Sequence, residues 1–361
     1  GGVVSYAYLL WKEKQNKKEF LRQDIKVKEP KITSKEIMKK ILFYAVPFVM
    51  IDLFRSLYNS VDVLTLVKTL VNDIGYTAKD AESVMSVIST WGLKINMIII
   101  SVVSGIMTSL IPNLTASFVQ NDMKGVSEKI NKTYQIILFF TVPMTVGLSF
   151  LAKPVWTIFY GASKYGPLTY QYLVFVALAT AIFTSTVMIV QLLKENKTVF
   201  ISLIFGMLVK VLLNIPLIHS FNKMGLPAFY GAITATILGF LTSSVIALIV
   251  LRKKYKFNLE ETAKESLNIL IAVIAMVIVL LGLKLVVPIN TTSRLMAILV
   301  VALYAVVGAA VYLFILHKTK SINNIFGEEK INELLSRKKK TKNIKPKKVV
   351  KNKIQKKKKV N

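Results

Sequence analysis

Residues 266–287 read SLNILIAVIAMVIVLLGLKLVV, an apolar block in which Lys284 is the one charged residue. A helix of about 22 residues rises about 33 Å, enough to cross the hydrocarbon core of a bilayer. Similar blocks recur between short polar joints, and 53% of the 361 residues are apolar. The sequence therefore predicts an all-α polytopic membrane protein.

The same pattern predicts eight complete membrane spans after a partial one. Residues 1–11 are apolar but too few to cross, so we expect them to be the end of a span that begins upstream. Thr33 and Glu36 form a capping box that predicts the start of the next helix. The predicted spans are residues 41–70, 81–117, 133–152, 167–193, 198–218, 228–251, 266–287 and 294–317.

Basic residues concentrate in alternate joints and in the tail. The basic joints are residues 12–40, 122–132, 194–197 and 252–256. Because cytoplasmic loops are enriched in lysine and arginine, this asymmetry predicts that these joints and the C-terminus are cytoplasmic. The outer joints are too short to carry the extracytoplasmic domain of a membrane glycosyltransferase.

The C-terminal tail is strongly basic. Residues 336–361 hold about half of the net charge of +29 and contain no acidic residue. Such a tail could neutralise nucleic-acid phosphates, but it has no interleaved aromatic residues and follows a cytoplasmic span end. We expect it to lie on anionic lipid headgroups, without a nucleic-acid partner and disordered at its end.

Residues 51–62, IDLFRSLYNSVD, place four polar side chains within an apolar segment. They are Asp52, Arg55, Asn59 and Asp62, spaced so that one quadrant of a helix holds them all. A charge near the bilayer centre costs roughly 2.5 to 3.5 kcal/mol, so these side chains should face protein or a wet cavity. Asp52 and Arg55 could line a passage or neutralise each other as a structural pair.

Two lysines in other spans add to this pattern. Asp62 has no basic neighbour one turn away, and Lys210, with Asn214 one turn beyond it, is the predicted partner from another helix. Lys94 is followed at helical spacing by serine and threonine residues. It should face a wet cavity or a carboxylate, with snorkelling to the membrane surface as the alternative.

Several kinds of chemistry have no sequence support. The chain has no cysteine, and its two histidines, His219 and His317, are far apart, which argues against a metal site. It contains no Walker A, HExxH or GxSxG motif. The pattern favours a secondary transporter or flippase without a cofactor over an enzyme, and coupling to sodium or protons stays open.

Three segments resemble a known transporter superfamily. They are WGLKINMIIISVVSGIMTSLIPNLTASFVQNDMKGVSEKINKTYQIILFFTVPMTVGLSFLAKPVWTIFYG, LVKVLLNIPLI and YGAITAT. In order and spacing they are similar to lipid II flippases and polysaccharide exporters of the multidrug/oligosaccharidyl-lipid/polysaccharide exporter superfamily. MurJ and stage V sporulation protein B are members. The likeness covers nearly the whole chain.

The resemblance implies a fold and domain boundaries. Members have two six-helix lobes around a central cavity, sometimes followed by two further helices. By this match residues 1–11 end helix six, 12–40 are a cytoplasmic linker and 41–251 are the second lobe. Residues 252–318 then form the two additional helices, and 319–361 form the polybasic tail.

The resemblance also implies roles for individual residues. Lys94 falls where lipid II flippases carry a cavity arginine, so it is expected to contact substrate pyrophosphate. The polar stripe adds Asp52, Arg55 and Asn59 as further candidates for substrate binding. Asp62, Asn214 and Thr236 match residues that hold sodium in some members. Lys210 stands where another neutral ligand would be, so its ammonium is predicted to occupy the place of the sodium.

The function implied is export of a polyprenyl-pyrophosphate-linked saccharide across the bacterial cytoplasmic membrane by alternating access, with the lipid tail along the two additional helices. Lipid II and a polysaccharide repeat unit both remain open as substrates, as does the oligomeric state. The rivals are a cation-coupled multidrug exporter and a non-transporting envelope-assembly scaffold. Lysines at the candidate positions, and helices beyond the twelfth, argue against the drug exporter.

Overall fold

The computed structural model describes residues 5–12, 14, 33–289 and 293–327. The chain divides into two compact units, Gly1–Met50 and Ile51–Asn361. The predictions for residues 15–32 and for the tail from residue 328 lie outside the described part. Within that part every regular element is a helix, so the predicted all-α membrane fold is confirmed.

Twelve helices are described, in chain order. They are α1 (5–12), α2 (Ser34–Thr69), α3 (Ala78–Ser86), α4 (Gly92–Val119), α5 (Met123–Phe150), α6 (Ala152–Tyr160), α7 (Gly166–Leu192), α8 (Asn196–Lys223), α9 (Tyr230–Tyr255), α10 (Glu260–Val286), α11 (Arg294–Lys318) and α12 (Ser321–Phe326). At the start of α2 the Thr33 amide donates to Glu36 Oε2 at 3.3 Å, as the capping box predicts.

Seven helices in the described chain are long and apolar enough to cross a membrane. They are α5, α7, α8, α9, α10, α11 and one 42-residue helix, Ala78–Val119, that joins α3 to α4 through a π-helical segment, Val87–Trp91. The remaining predicted span, residues 41–70, falls in α2 and its π-helical continuation, where several side chains are outside the described part. The short helices α6 and α12 were not predicted.

Helix α7 is the centre of the second unit. It is buried more than any other candidate span, and it packs against α4, α5, α8 and α9. Its sequence is apolar on all sides, as expected for a helix surrounded by other helices. Helices α10 and α11 pack on each other and present exposed leucine and isoleucine side chains on their outer faces, where lipid would cover them.

Helices α8 and α9 approach each other closely because each has a glycine at the crossing. A Cβ atom at Gly206 would lie 2.5 Å from the Gly239 carbonyl oxygen and 1.9 Å from Ser243 Oγ, so a larger residue does not fit. A Cβ at Gly239 would lie 2.7 Å from Tyr58 Cε1, which brings α2 to the same crossing. Small residues permit this packing in membranes, where the hydrophobic effect does not drive helices together.

A polar clamp ties the α7–α8 turn to the end of α9. Lys254 Nζ and the Tyr255 hydroxyl both donate to Glu195 Oε1. The hydrogen bond from Lys254 holds the pKa of the Glu195 carboxyl below its ordinary value. The carboxylate therefore stays ionised at neutral pH and keeps both donors.

The glycine crossing can be tested directly. We expect Gly206→Ala to lower the free energy of unfolding by about 1 to 3 kcal/mol, because the Gly239 backbone cannot yield to the added methyl group. Denaturant titration of the purified chain in detergent would measure this. Gly282→Ala is the matched control, since its Cβ would meet no atom within 4 Å. Equal effects of the two substitutions would contradict the proposed crossing.

Candidate functional site

The Lys210 side chain is completely buried, and its ammonium is surrounded by oxygen atoms. Four acceptors lie within hydrogen-bond distance of Nζ: Asp62 Oδ1 at 2.6 Å, Thr236 Oγ1 at 2.7 Å, Asn214 Oδ1 at 3.0 Å and the Ala232 carbonyl at 3.0 Å. A lysine ammonium has three protons, so at least one of them is shared between two acceptors. Such a shell of oxygens resembles the coordination of a bound cation.

The sequence of α8 explains how a lysine reaches this position. Ser202, Gly206, Lys210 and Asn214 follow at intervals of four, and all four are buried on one face of the helix. The close approach at Gly206 holds α9 near enough for its backbone carbonyl at Ala232 to accept from Lys210 one turn further on. The packing of the two backbones thus builds half of the oxygen shell.

Further hydrogen bonds orient the ligands of the ammonium. Asn214 accepts from Lys210 through Oδ1 and donates through Nδ2 to Thr65 Oγ1 at 2.7 Å, which fixes the orientation of its amide. Thr65 in turn donates to the Val61 carbonyl. The chain of donors and acceptors is consistent from Lys210 on α8 through Asn214 to Thr65 on α2.

We call this group of residues the Lys210 cluster: Asp62, Lys210, Asn214, Thr236 and Thr65. At its centre Asp62 and Lys210 form an ion pair inside the helix bundle. Asp62 is 4% exposed and Lys210 is 0% exposed. Removing one partner of a buried pair leaves an uncompensated charge and typically costs about 3 to 5 kcal/mol. The pair therefore links α2 to α8, and its integrity requires both partners, because loss of either one leaves a buried charge.

The structure brings together the four residues that the sequence analysis assigned to a buried charge pair or ion site. Sequence reasoning missed Thr65 and the Ala232 carbonyl, although both lie one turn from an assigned residue, Asp62 or Thr236. That spacing was the available signal. Whether the cluster serves transport stays a prediction.

Of the other stripe residues in α2, the structure describes the side chain of Asn59. Asn59 is exposed, one turn before the buried Asp62. The side chains of Asp52 and Arg55 lie outside the described part, so their two interpretations stay as the sequence left them.

Lys94 lies elsewhere, on an exposed face of α4. Its Nζ is 4.6 Å from the centre of the Trp91 ring, a cation–π contact. Asn96 donates to the Leu173 carbonyl at 3.2 Å. Leu173 lies about 10 Å along α7 from its first residue, so this turn of α4 lies at the same depth. Lys94 is the third residue of α4 and lies within the candidate span Ala78–Val119.

Below Lys94 an apolar groove runs between four helices. It has a volume of about 380 Å³, and α4, α5, α10 and α11 contribute its lining. Ile98, one turn from Lys94 on the same face, is the residue from α4. Pro143, Met276 and Gly308 represent the other three helices. Lys94 therefore lies one helical turn from a residue that lines the apolar groove.

Comparison with known proteins identifies relatives of the chain. A family model described as lipid II flippase MurJ matches residues 84–311. The lipid II flippase MurJ of Bacillus subtilis (strain 168) is 29% identical over 303 residues, which cover 82% of this chain and 54% of that protein. The chain thus spans about half the length of this relative.

A solved structure supports the fold. Lipid II flippase MurJ in an inward closed conformation is similar with a TM-score of 0.54 at 18% identity, over 80% of this chain and 56% of the other. The resemblance found in the sequence is confirmed. Because the family model matches more than half of its length, the chain belongs to the lipid II flippase MurJ family.

Proposed function

We propose that this chain moves a polyprenyl-pyrophosphate-linked saccharide, lipid II or a polysaccharide repeat unit, across the cytoplasmic membrane by alternating access. Family membership supports the substrate class, since the relatives are named lipid II flippases. Transport of this kind breaks no covalent bond in the substrate, so the site must bind and release without catalytic groups.

The position of Lys94 beside the apolar groove is the observation that carries the proposal. A lipid-linked pyrophosphate has an anionic group joined directly to a long apolar tail. The chain offers a cation at Lys94 and an apolar surface that begins one turn away at Ile98. The anionic group and the apolar tail of the substrate would thus meet a cation and an apolar surface in the same order, one helical turn apart.

A fixed cation is needed because a pyrophosphate must lose bulk water to leave the aqueous phase. Charge-assisted hydrogen bonds from an ammonium to phosphate oxygens offset part of that loss. A membrane potential that is negative inside favours outward movement of the anion by about 2.3 kcal/mol per charge per 100 mV. The membrane potential alone could therefore favour export of the substrate substantially.

The domain boundaries remain part of the proposal. Residues 41–251 would form one six-helix lobe, and α10 with α11 would be the two additional helices that complete the groove for the lipid tail. The contribution of both α10 and α11 to the groove lining supports this assignment.

We infer further that the Lys210 ammonium takes the place of a coupling cation. Four oxygens at 2.6 to 3.0 Å already surround Nζ, which leaves no room for sodium. This lobe would then work without binding that ion.

For the C-terminal tail we propose a cytoplasmic position on anionic lipid. Each lysine near such a surface contributes about 1 kcal/mol of attraction, and residues 336–361 carry no acid to oppose it.

Substitution of Lys94 tests transport. In bacteria depleted of their own lipid II flippase, we expect the Lys94→Ala gene to yield at least about tenfold less extracytoplasmic lipid-linked precursor than the wild-type gene, because the phosphate loses a charged partner. Lys94→Arg should retain most activity, since it keeps the charge.

Lys68→Ala and Lys284→Ala are matched controls, because both lysines are exposed near helix ends. The amount of each protein in the membrane is measured alongside. A Lys94→Ala protein that accumulates normally and transports at the wild-type rate would contradict the proposed function.

Substitution of Lys210 tests whether its ammonium takes the place of a coupling cation. We expect the melting temperature of the purified wild-type chain to be the same in sodium chloride and choline chloride. Lys210→Ala should melt at a lower temperature, and sodium should raise it, because the vacated oxygen shell can bind the ion.

The double variant Asp62→Asn with Lys210→Met removes both charges and is the control. It should recover part of the stability that the single variant loses and should not respond to sodium. A sodium-dependent melting temperature in the wild-type chain that persists in Lys210→Ala would contradict the inference.

The tail prediction has a simple measurement. A peptide of residues 336–361 should sediment with vesicles containing 30% phosphatidylserine and remain in solution with pure phosphatidylcholine. Raising the salt from 0.1 to 1 M should release it, since screening shortens the range of the attraction. Equal binding to both kinds of vesicle would contradict an electrostatic contact.

A further inference from the structure

A second pocket lies next to Lys94, on the side away from the apolar groove. Its volume is about 430 Å³, and it opens between α3, the π-helical segment Val87–Trp91, α6 and the turn before α7. Three serines and three aromatic residues line it together with Val87: Ser83, Ser86, Ser163, Trp91, Trp156 and Tyr160. We call it the Trp91 pocket.

The aromatic residues of the pocket hold each other in place. The Tyr160 hydroxyl donates to the Trp91 carbonyl at 2.9 Å, and the two rings meet at an angle of 65° with their centres 5.1 Å apart. Trp156, which is buried, packs behind Tyr160 at 4.7 Å. Trp91 is 43% exposed and lines the pocket, so a rigid aromatic residue faces the pocket and the solvent beside it.

The serine hydroxyls provide both donors and acceptors. The Ser83 hydroxyl makes no hydrogen bond with the described residues, while its backbone carbonyl accepts from the Val87 amide. Ser86 donates to the Glu82 carbonyl, which leaves its oxygen free to accept, and Ser163 accepts from the Gly166 amide, which leaves its proton free to donate. An aromatic surface with neutral hydroxyls of both kinds suits a sugar ring, which has an apolar C–H face and hydroxyl groups around its edge.

The order of residue types along one helix face indicates which part of the substrate the pocket would contact. Trp91, Lys94 and Ile98 follow at intervals of three and four residues, and they lead from the pocket past the ammonium to the apolar groove. A polyprenyl-pyrophosphate sugar has its parts in the same sequence. With Lys94 Nζ 4.6 Å from the Trp91 ring, a phosphate at the lysine would place the attached sugar at the pocket.

We propose that the Trp91 pocket binds the sugar joined directly to the substrate pyrophosphate. This inference rests on the proposed function and adds to it a site for the saccharide. Trp91 contributes the stacking surface, and the three serines select for hydroxyl groups. When Lys94 turns to the phosphate it leaves the indole ring, and that face becomes available to the sugar.

Two short-chain probes of equal charge test the proposal. The first is farnesyl diphosphate glycosylated with N-acetylglucosamine, and the second is farnesyl diphosphate methylated at the same oxygen. Binding to the purified chain in phosphatidylcholine nanodiscs is measured by calorimetry, with empty nanodiscs subtracted. We expect Trp91→Ala to weaken the glycosylated probe about tenfold and to change the methylated probe by less than twofold.

Other variants separate the roles of neighbouring residues. Lys94→Ala should weaken both probes by a similar factor. Ser83→Ala with Ser86→Ala should weaken the glycosylated probe alone, which keeps the test available if Trp91→Ala does not fold. Phe159→Ala is the matched aromatic control, because Phe159 is exposed beside Tyr160 but does not line the pocket.

Each adverse outcome has a distinct meaning. If the Trp91 and serine variants bind both probes as the wild-type chain does, or weaken both equally, the sugar site is wrong and the proposed function stands. If the wild-type chain binds neither probe, the proposed function fails for this chain, and the sugar site fails with it.

Discussion

The close crossing of α8 and α9 at Gly206 and Gly239 is the constraint on which the candidate ion-pair site depends. Because neither backbone carries a Cβ there, the helices approach until the α9 carbonyls lie within reach of a side chain one turn away on α8. Lys210 is that side chain. Once buried it requires a negative partner, and Asp62 on α2 provides it. A packing feature of two glycines thus determines where a third helix binds.

Much of this arrangement follows from the sequence. The cost of an unpaired charge in hydrocarbon predicts that Asp62 and Lys210 meet, since neither has an opposite charge one turn away on its own helix. The helices follow from apolar blocks of about twenty residues. The contact of Asn214 with Thr65 and the use of the Ala232 carbonyl do not follow, because they depend on the rotation of α8 against α2 and against α9, which no single-helix pattern specifies.

The Trp91 pocket shows a second limit of sequence reasoning. Helical periodicity assigns Trp91 and Lys94 to one face but says nothing of Tyr160, which comes from a short helix, α6, that the predicted spans leave out. A π-helical segment also changes the helix face on which the following residues lie. Helical spacing counted across residues 87–91 therefore assigns residues before the segment to the wrong face relative to those after it. A site built from such irregular segments can be identified from the structure but not from helical spacing in the sequence.

The two lysines differ in what they offer a substrate, and the difference bears on the direction of transport. Lys210 is neutralised by Asp62 and buried, so it adds almost no field to the path of a headgroup. Lys94 is exposed and has only an aromatic ring as a partner among the described residues. A pyrophosphate diester carries two negative charges, so under the proposed function a site in which Lys94 is the cation opposite it would remain net negative when loaded. The membrane potential would then still act on the complex and favour its outward movement, whereas a fully neutralised site would lose that bias.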